Sequence, residues 1–174
     1  MCTPDIGEKE RLAVRSYGLW DTYFAKHITA PCHCYHLAAW SAGETAFWAK
    51  NGPQKQLLLR TCLQYWAKYL ASASPPATLA LEHAGHNYAY ATLFEPVEDI
   101  KGALALQTAL VWEAYLSRDD RKEDRPIHGD LLRAYRAVAN FVKTPDIVET
   151  YRKKLEQLVE DMSPRTQELS TEVI

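Results

Sequence analysis

The chain has 174 residues and a formal net charge of -2, with 47% hydrophobic and 24% charged residues. This composition is typical of a globular protein and argues against a disordered one, and the length is typical of one domain. A protein that grips a phosphate backbone usually carries a surplus of Lys and Arg, so nucleic acid is not an expected partner.

Hydrophobic periodicity predicts seven helices, and no strand-like alternation competes with it. Proline, glycine and capping residues mark where the helices begin and end. In chain order the predicted helices are Glu8–His27, Pro31–Lys50, Pro53–Ser72, Pro76–Phe94, Val97–Ser117, one that Pro126 opens and that ends near Val142, and one that Thr144 opens and that Ser163-Pro164 stops. The third carries two adjacent apolar stripes, which predict a central position.

The charged run Arg118–Arg125 is the predicted boundary within this all-α chain. We expect a single domain, residues 1–174, built as an irregular helical bundle of about seven helices with a C-terminal helix pair. The bundle spans 8–117, the charged loop 118–125, the helix pair 126–162 and an extended tail 163–174.

The cysteines and the apolar segments bear on location. Cys32 and Cys34 are one residue apart on a predicted helix, where they do not easily bridge each other. The first residues, MCTPDIGEKERLAV, contain no apolar signal core. The apolar runs are far shorter than the ~20 residues of a membrane span. We therefore expect an intracellular protein in a reducing compartment, the cytoplasm or an organelle matrix, with no membrane span.

Two predicted helices each carry a histidine pair at i, i+3 spacing, a spacing that lets two imidazoles on one helix reach a common point. Facing helices with such pairs and a nearby carboxylate are one way in which bundles hold zinc or iron. The candidate ligands are His33, His36, Glu44, Glu82, His83 and His86. The simpler interpretation, which we favour, is that these histidines are hydrogen-bonded members of an aromatic seam.

One short segment, His36-Leu37-Ala38-Ala39-Trp40, resembles the first histidine segment of DinB-like four-helix metal proteins. The helices of that family present three histidines to one metal, so the resemblance implies a metal site. The resemblance covers these five residues alone. The family also has a later His-x-x-x-His, where this chain has His83-x-x-His86.

The leading functional expectation is a non-catalytic interaction or assembly protein, an accessory subunit of a larger protein complex that needs no cofactor. The chain carries five Trp and ten Tyr, residue types enriched at protein interfaces, and no catalytic motif stands out. The last helix has an apolar heptad seam suited to a partner helix, made of Val148, Tyr151, Leu155, Leu158 and Met162. The alternatives are a metal-binding bundle or metal-dependent enzyme that uses the histidines, and a bundle that holds a small ligand in an aromatic pocket.

Overall fold

Seven α-helices make up the part of the chain that the computed structural model describes, residues 6–27, 29–121 and 127–171, with side chains described as far as Met162. The helices are α1 (Ile6–Lys26), α2 (Cys32–Trp48), α3 (Gly52–Ser72), α4 (Thr78–Phe94), α5 (Glu98–Leu116), α6 (His128–Phe141) and α7 (Pro145–Thr171). No strand occurs in these ranges. The all-α prediction is confirmed, and every predicted helix is present.

The local signals for helix starts act as their chemistry predicts. The side chain of Asn51 accepts a hydrogen bond from the backbone N–H of Gln54 at 2.7 Å, so it caps the free first turn of α3. Pro53 occupies that turn, where its missing N–H costs nothing. The helix α2 begins directly after Pro31, and the N–H of Cys34 bonds to the Pro31 carbonyl at 2.9 Å.

The predicted end of the last helix is wrong. Ser163-Pro164 was expected to stop it and to leave an extended tail, but α7 continues to Thr171. A proline inside a helix loses one hydrogen bond and costs about 3 kcal/mol, which disfavours the conformation without forbidding it. Residues 172–174 of the predicted tail lie outside the described part of the chain. Residues 122–126, which include the last four residues of the predicted charged loop, also lie outside it.

The chain divides into two compact units, Met1–Asn87 and Tyr88–Ile174, which we call unit 1 and unit 2. This division differs from the one expected at the charged run, because α5 belongs with α6 and α7. The helix α5 packs along α6, and the backbone of α5 at Gly102 comes against the backbone of Phe141 at the end of α6.

In unit 1 the central helix is α2, although α3 was expected in that position. Four alanines of α2 have no exposed surface, and they lie on more than one side of the helix: Ala38, Ala39, Ala42 and Ala46. Small side chains let neighbouring helices approach closely, so α2 packs against α1 and α3 and meets α4 where Gly43 approaches Asn87. The largest fully buried side chain of this unit is Trp66 of α3.

In unit 2 the helix α6 packs against both α5 and α7. Its buried face consists of Leu131, Ala134, Tyr135 and Val138. Trp112 and Tyr115 of α5 are the largest fully buried side chains of this unit. The connection between α6 and α7 has only three residues, 142–144, which makes these two helices antiparallel neighbours.

Candidate functional site

Two of the predicted site histidines meet in unit 1. His36 of α2 and His83 of α4 lie with Nε2 and Nδ1 3.3 Å apart, within hydrogen-bonding distance. The indole of Trp40 stacks on the His83 ring, with centroids 5.4 Å apart and planes inclined by 9°. On the other side, the ring of His36 lies 5.3 Å from Trp66 and 5.4 Å from Tyr69 of α3. We call these five residues the histidine–aromatic cluster; it joins three helices.

The electrostatics of the cluster favour neutral imidazoles. Burial lowers the pKa of His36, and the neighbouring His83 lowers it further. Burial likewise lowers the pKa of His83, with a smaller contribution from His86. A neutral pair is chemically consistent with the 3.3 Å contact, because one ring nitrogen donates and the other accepts.

The six predicted metal ligands do not come together as a set. The described residues contain no group of three or more His, Cys, Asp or Glu side chains arranged to hold a metal ion. His36 and His83 approach each other, whereas His33 and His86 are exposed. Glu44 lies elsewhere, in a groove between α1 and α2, where burial raises the pKa of its carboxyl. Glu82 is half-buried on α4.

That groove was not expected from the sequence. It has a volume of about 280 Å³ and is lined by Lys9, Leu12, Ala13 and Ser16 of α1 and by Trp40, Ser41 and Glu44 of α2. The hydroxyls of Ser16 and Ser41 share a hydrogen bond of 2.7 Å across its floor. Trp40 therefore belongs both to the groove and to the histidine–aromatic cluster.

The predicted partner-binding seam of α7 is only partly covered within its own chain. Tyr151 is 4% exposed and packs edge-on against the ring of Tyr135 of α6, at 5.4 Å between centroids. Burial, together with Glu113, raises the pKa of Tyr151 to about 12. The other four seam residues, Val148, Leu155, Leu158 and Met162, are half-buried. Tyr151 is thus a core residue of unit 2, whereas its four companions keep accessible surface.

A second unexpected feature is a cavity in unit 2 between the end of α4, α5 and α6. Its volume is about 190 Å³. Alanines at facing positions leave this space, but alanines also fill the core of α2, so composition alone does not signal a cavity. The lining residues are Ala89, Thr92, Leu93, Lys101, Thr108, Trp112, Asp130, Arg133, Ala134, Ala137 and Phe141.

No protein-family model, no curated protein and no solved structure matches this chain. Among the described helices, none has the length and apolar character needed to cross a membrane. The functional argument therefore depends on the geometry of the chain itself.

Proposed function

We propose that this protein is a non-catalytic helical accessory subunit that binds a helix of a larger partner protein along α7. The observation that carries the proposal is the length of α7 relative to its neighbour. The helix α7 has 27 residues and α6 has 14, which correspond to about 40 Å and about 21 Å at 1.5 Å per residue. Because the two helices are antiparallel neighbours, about half of α7 extends past the start of α6.

The apolar seam leads into this extending half. By the same count α7 passes the start of α6 near Leu158, so Leu155 lies alongside α6 and Met162 lies beyond it. Leu155, Leu158 and Met162 are half-buried, and Val159 beside them is 47% exposed. Their spacing matches a heptad pattern, which suits a second helix packed in parallel or antiparallel orientation. The apolar side chains therefore favour an amphipathic helix as the occupant.

Charge indicates what that partner helix carries. In the heptad pattern Asp161 flanks the seam at its far end, next to exposed Glu160, whereas exposed Arg152 flanks the near end. Opposite charges at flanking positions select partners in helix pairs. The complementary helix has Lys or Arg opposite Asp161 and an acidic residue opposite Arg152.

A second copy of this chain fits less well. Antiparallel self-pairing centred on Leu155 and Leu158 would bring Met162 of one copy opposite Tyr151 of the other, but Tyr151 is buried in its own unit. It would also require Lys154, which is bound to Glu113 at 2.7 Å, to pair with Asp161. A different protein is therefore the better occupant.

Site-specific photo-crosslinking in cells of the native source tests this proposal. A benzophenone side chain at position 158 samples the seam, and the same group at the exposed position of Lys153, on the opposite face of α7, is the matched control. We expect position 158 to crosslink to one protein, within a helical segment that has an apolar heptad and a basic residue facing Asp161. Equal crosslinking from both positions, or none from 158, would refute the proposal.

A metal-binding function is the second candidate, and one observation favours it. Two nitrogens bound to one tetrahedral zinc at about 2.0–2.1 Å lie about 3.4 Å apart, close to the 3.3 Å between His36 and His83. Since no third described side chain joins them, water would complete the coordination. Calorimetric titration with zinc tests it: binding that the double replacement His36→Gln and His83→Gln removes supports this candidate, and binding that survives it refutes it.

A further inference from the structure

The cavity in unit 2 has the dimensions of a small-ligand site. A dry engineered cavity of about 150 Å³ binds benzene, and this cavity has about 190 Å³. It has room for one aromatic ring with a short substituent. Three helices form its walls, which is a common position for ligands in helical bundles.

The interior of the cavity is mainly apolar. Two threonines line it, but both hydroxyls donate to backbone carbonyls of their own helices at 2.8 Å, Thr92 to Tyr88 and Thr108 to Leu104. The two hydroxyl oxygens lie 3.5 Å apart, and because each has already donated its one proton they present only acceptor lone pairs to the cavity. The walls therefore favour a ligand with an apolar body.

The two ends of the cavity differ in charge. Asp130 and Arg133 form an ion pair at 2.5 Å near the start of α6. Lys101 lies at the other end. Its ammonium faces the ring of Phe141 at 5.0 Å, and Phe141 is eleven residues, or about 16 Å, beyond Asp130 along α6. Among the described residues no carboxylate lies within ion-pairing distance of the Lys101 ammonium. None of the described carboxylates therefore neutralises the charge of Lys101 in an ion pair.

We propose that this cavity binds a small aromatic monocarboxylate, with the ring between Ala89, Thr108 and Ala137 and the carboxylate against Lys101. An apolar body satisfies the walls, and the carboxylate supplies the opposite charge that Lys101 lacks. Charge-assisted hydrogen bonds of this kind are the strong ones in protein sites. The proposal is independent of α7 and of the histidine–aromatic cluster.

Isothermal titration calorimetry of the full chain with phenylacetate tests the inference, and phenylacetamide serves as the neutral analogue of the same shape. We expect saturable one-to-one binding of phenylacetate, and affinity for phenylacetamide that is lower by about tenfold, as loss of one charge-assisted contact implies. Failure of both probes to bind saturably at millimolar concentration would overturn the proposal. Equal affinity for the two probes would overturn the role of Lys101.

Two pairs of variants assign the binding to this cavity. Lys101→Gln should weaken phenylacetate by about tenfold and leave phenylacetamide unchanged, whereas Lys153→Gln on the exposed face of α7 should change neither. Ala137→Leu fills the cavity and should abolish binding of both probes, whereas Ala114→Leu at an exposed position of α5 should not. Binding that survives Ala137→Leu in a folded variant would place the ligand elsewhere and overturn the proposal.

Discussion

The close approach of α5 to the end of α6 makes Gly102 a position that is sensitive to one added methyl group. A Cβ built at Gly102 would lie 2.5 Å from the carbonyl oxygen of Phe141 and 3.0 Å from its carbonyl carbon. Both are backbone atoms, so no side-chain rotation relieves the contact. Gly102→Ala therefore requires the two helices to move apart.

The magnitude follows from two opposing terms. Overpacking a well-packed interior costs typically about 1–3 kcal/mol, and an immovable backbone obstacle places Gly102 near the upper end. Alanine gains about 1 kcal/mol over glycine inside a helix. The expected net loss is about 2 kcal/mol in the free energy of unfolding, or roughly 4–8 °C in melting temperature for a chain of this size.

Urea unfolding followed by far-ultraviolet circular dichroism measures this loss, and two other glycines provide matched controls. Gly18 of α1 has open space around it, so Gly18→Ala should stabilise the protein by about 1 kcal/mol. The three atoms nearest to a Cβ at Gly43 of α2 all belong to the side chain of Asn87, which can rotate, so the stability of Gly43→Ala should fall between those of the other two variants. The reasoning is refuted if Gly102→Ala unfolds at the same urea concentration as the wild type, or at a higher one.

The pH, the caps and the thiols give further expectations. Burial lowers the pKa of His36 and of His83, so the folded protein binds fewer protons than the unfolded chain. The free energy of unfolding, measured with urea across pH, should therefore fall as the pH drops below about 6.5. The fall should be smaller in the double variant His36→Gln and His83→Gln. Asn51→Ala should cost about 1 kcal/mol in the same assay, because it removes the cap of α3. Towards a thiol reagent, Cys32 should react before Cys62, whose thiol is fully buried with a raised pKa; the reverse order would contradict its burial.

The helices were predictable because their signals are local. Pro31, Pro53 and Pro145 act within one turn of the positions they mark, and the apolar period needs no knowledge of neighbours. Asn51 marks the end of the second helix in the sequence pattern, whereas in the structure it is the N-cap of α3. The end of α7 was not predictable in the same way. The rule that a proline stops a helix is a free-energy penalty, and the chain on both sides of Pro164 consists largely of residues that tolerate a helix.

The site was predictable only in part, because it depends on which helix faces meet. The spacing placed four histidines on two helix faces, and the structure brings together His36 and His83 while leaving His33 and His86 exposed. A step of three residues turns a helix by about 300°, so a pair at i, i+3 lies some 60° apart around the axis. A neighbouring helix that covers one member of such a pair can leave the other in solvent.

Alanines pack tightly in unit 1 but line a cavity in unit 2, and for this reason the sequence alone does not predict the cavity. Ala42 and Ala46 of α2 have no exposed surface, because neighbouring helices close on them until the space is filled. Ala134 and Ala137 of α6 instead line a cavity of about 190 Å³.

The contact between Gly102 and the Phe141 backbone sets the separation of α5 and α6 at one end, while fully buried Trp112 fills the space farther along α5. A small residue beside a bulky one cannot bring the helices together, so the space next to Trp112 stays open. Gly102→Ala moves α5 and α6 apart, and Ala137→Leu fills the space between them, so the two changes are coupled. In the urea assay the change in the free energy of unfolding of the double variant should therefore differ from the sum of the two single changes.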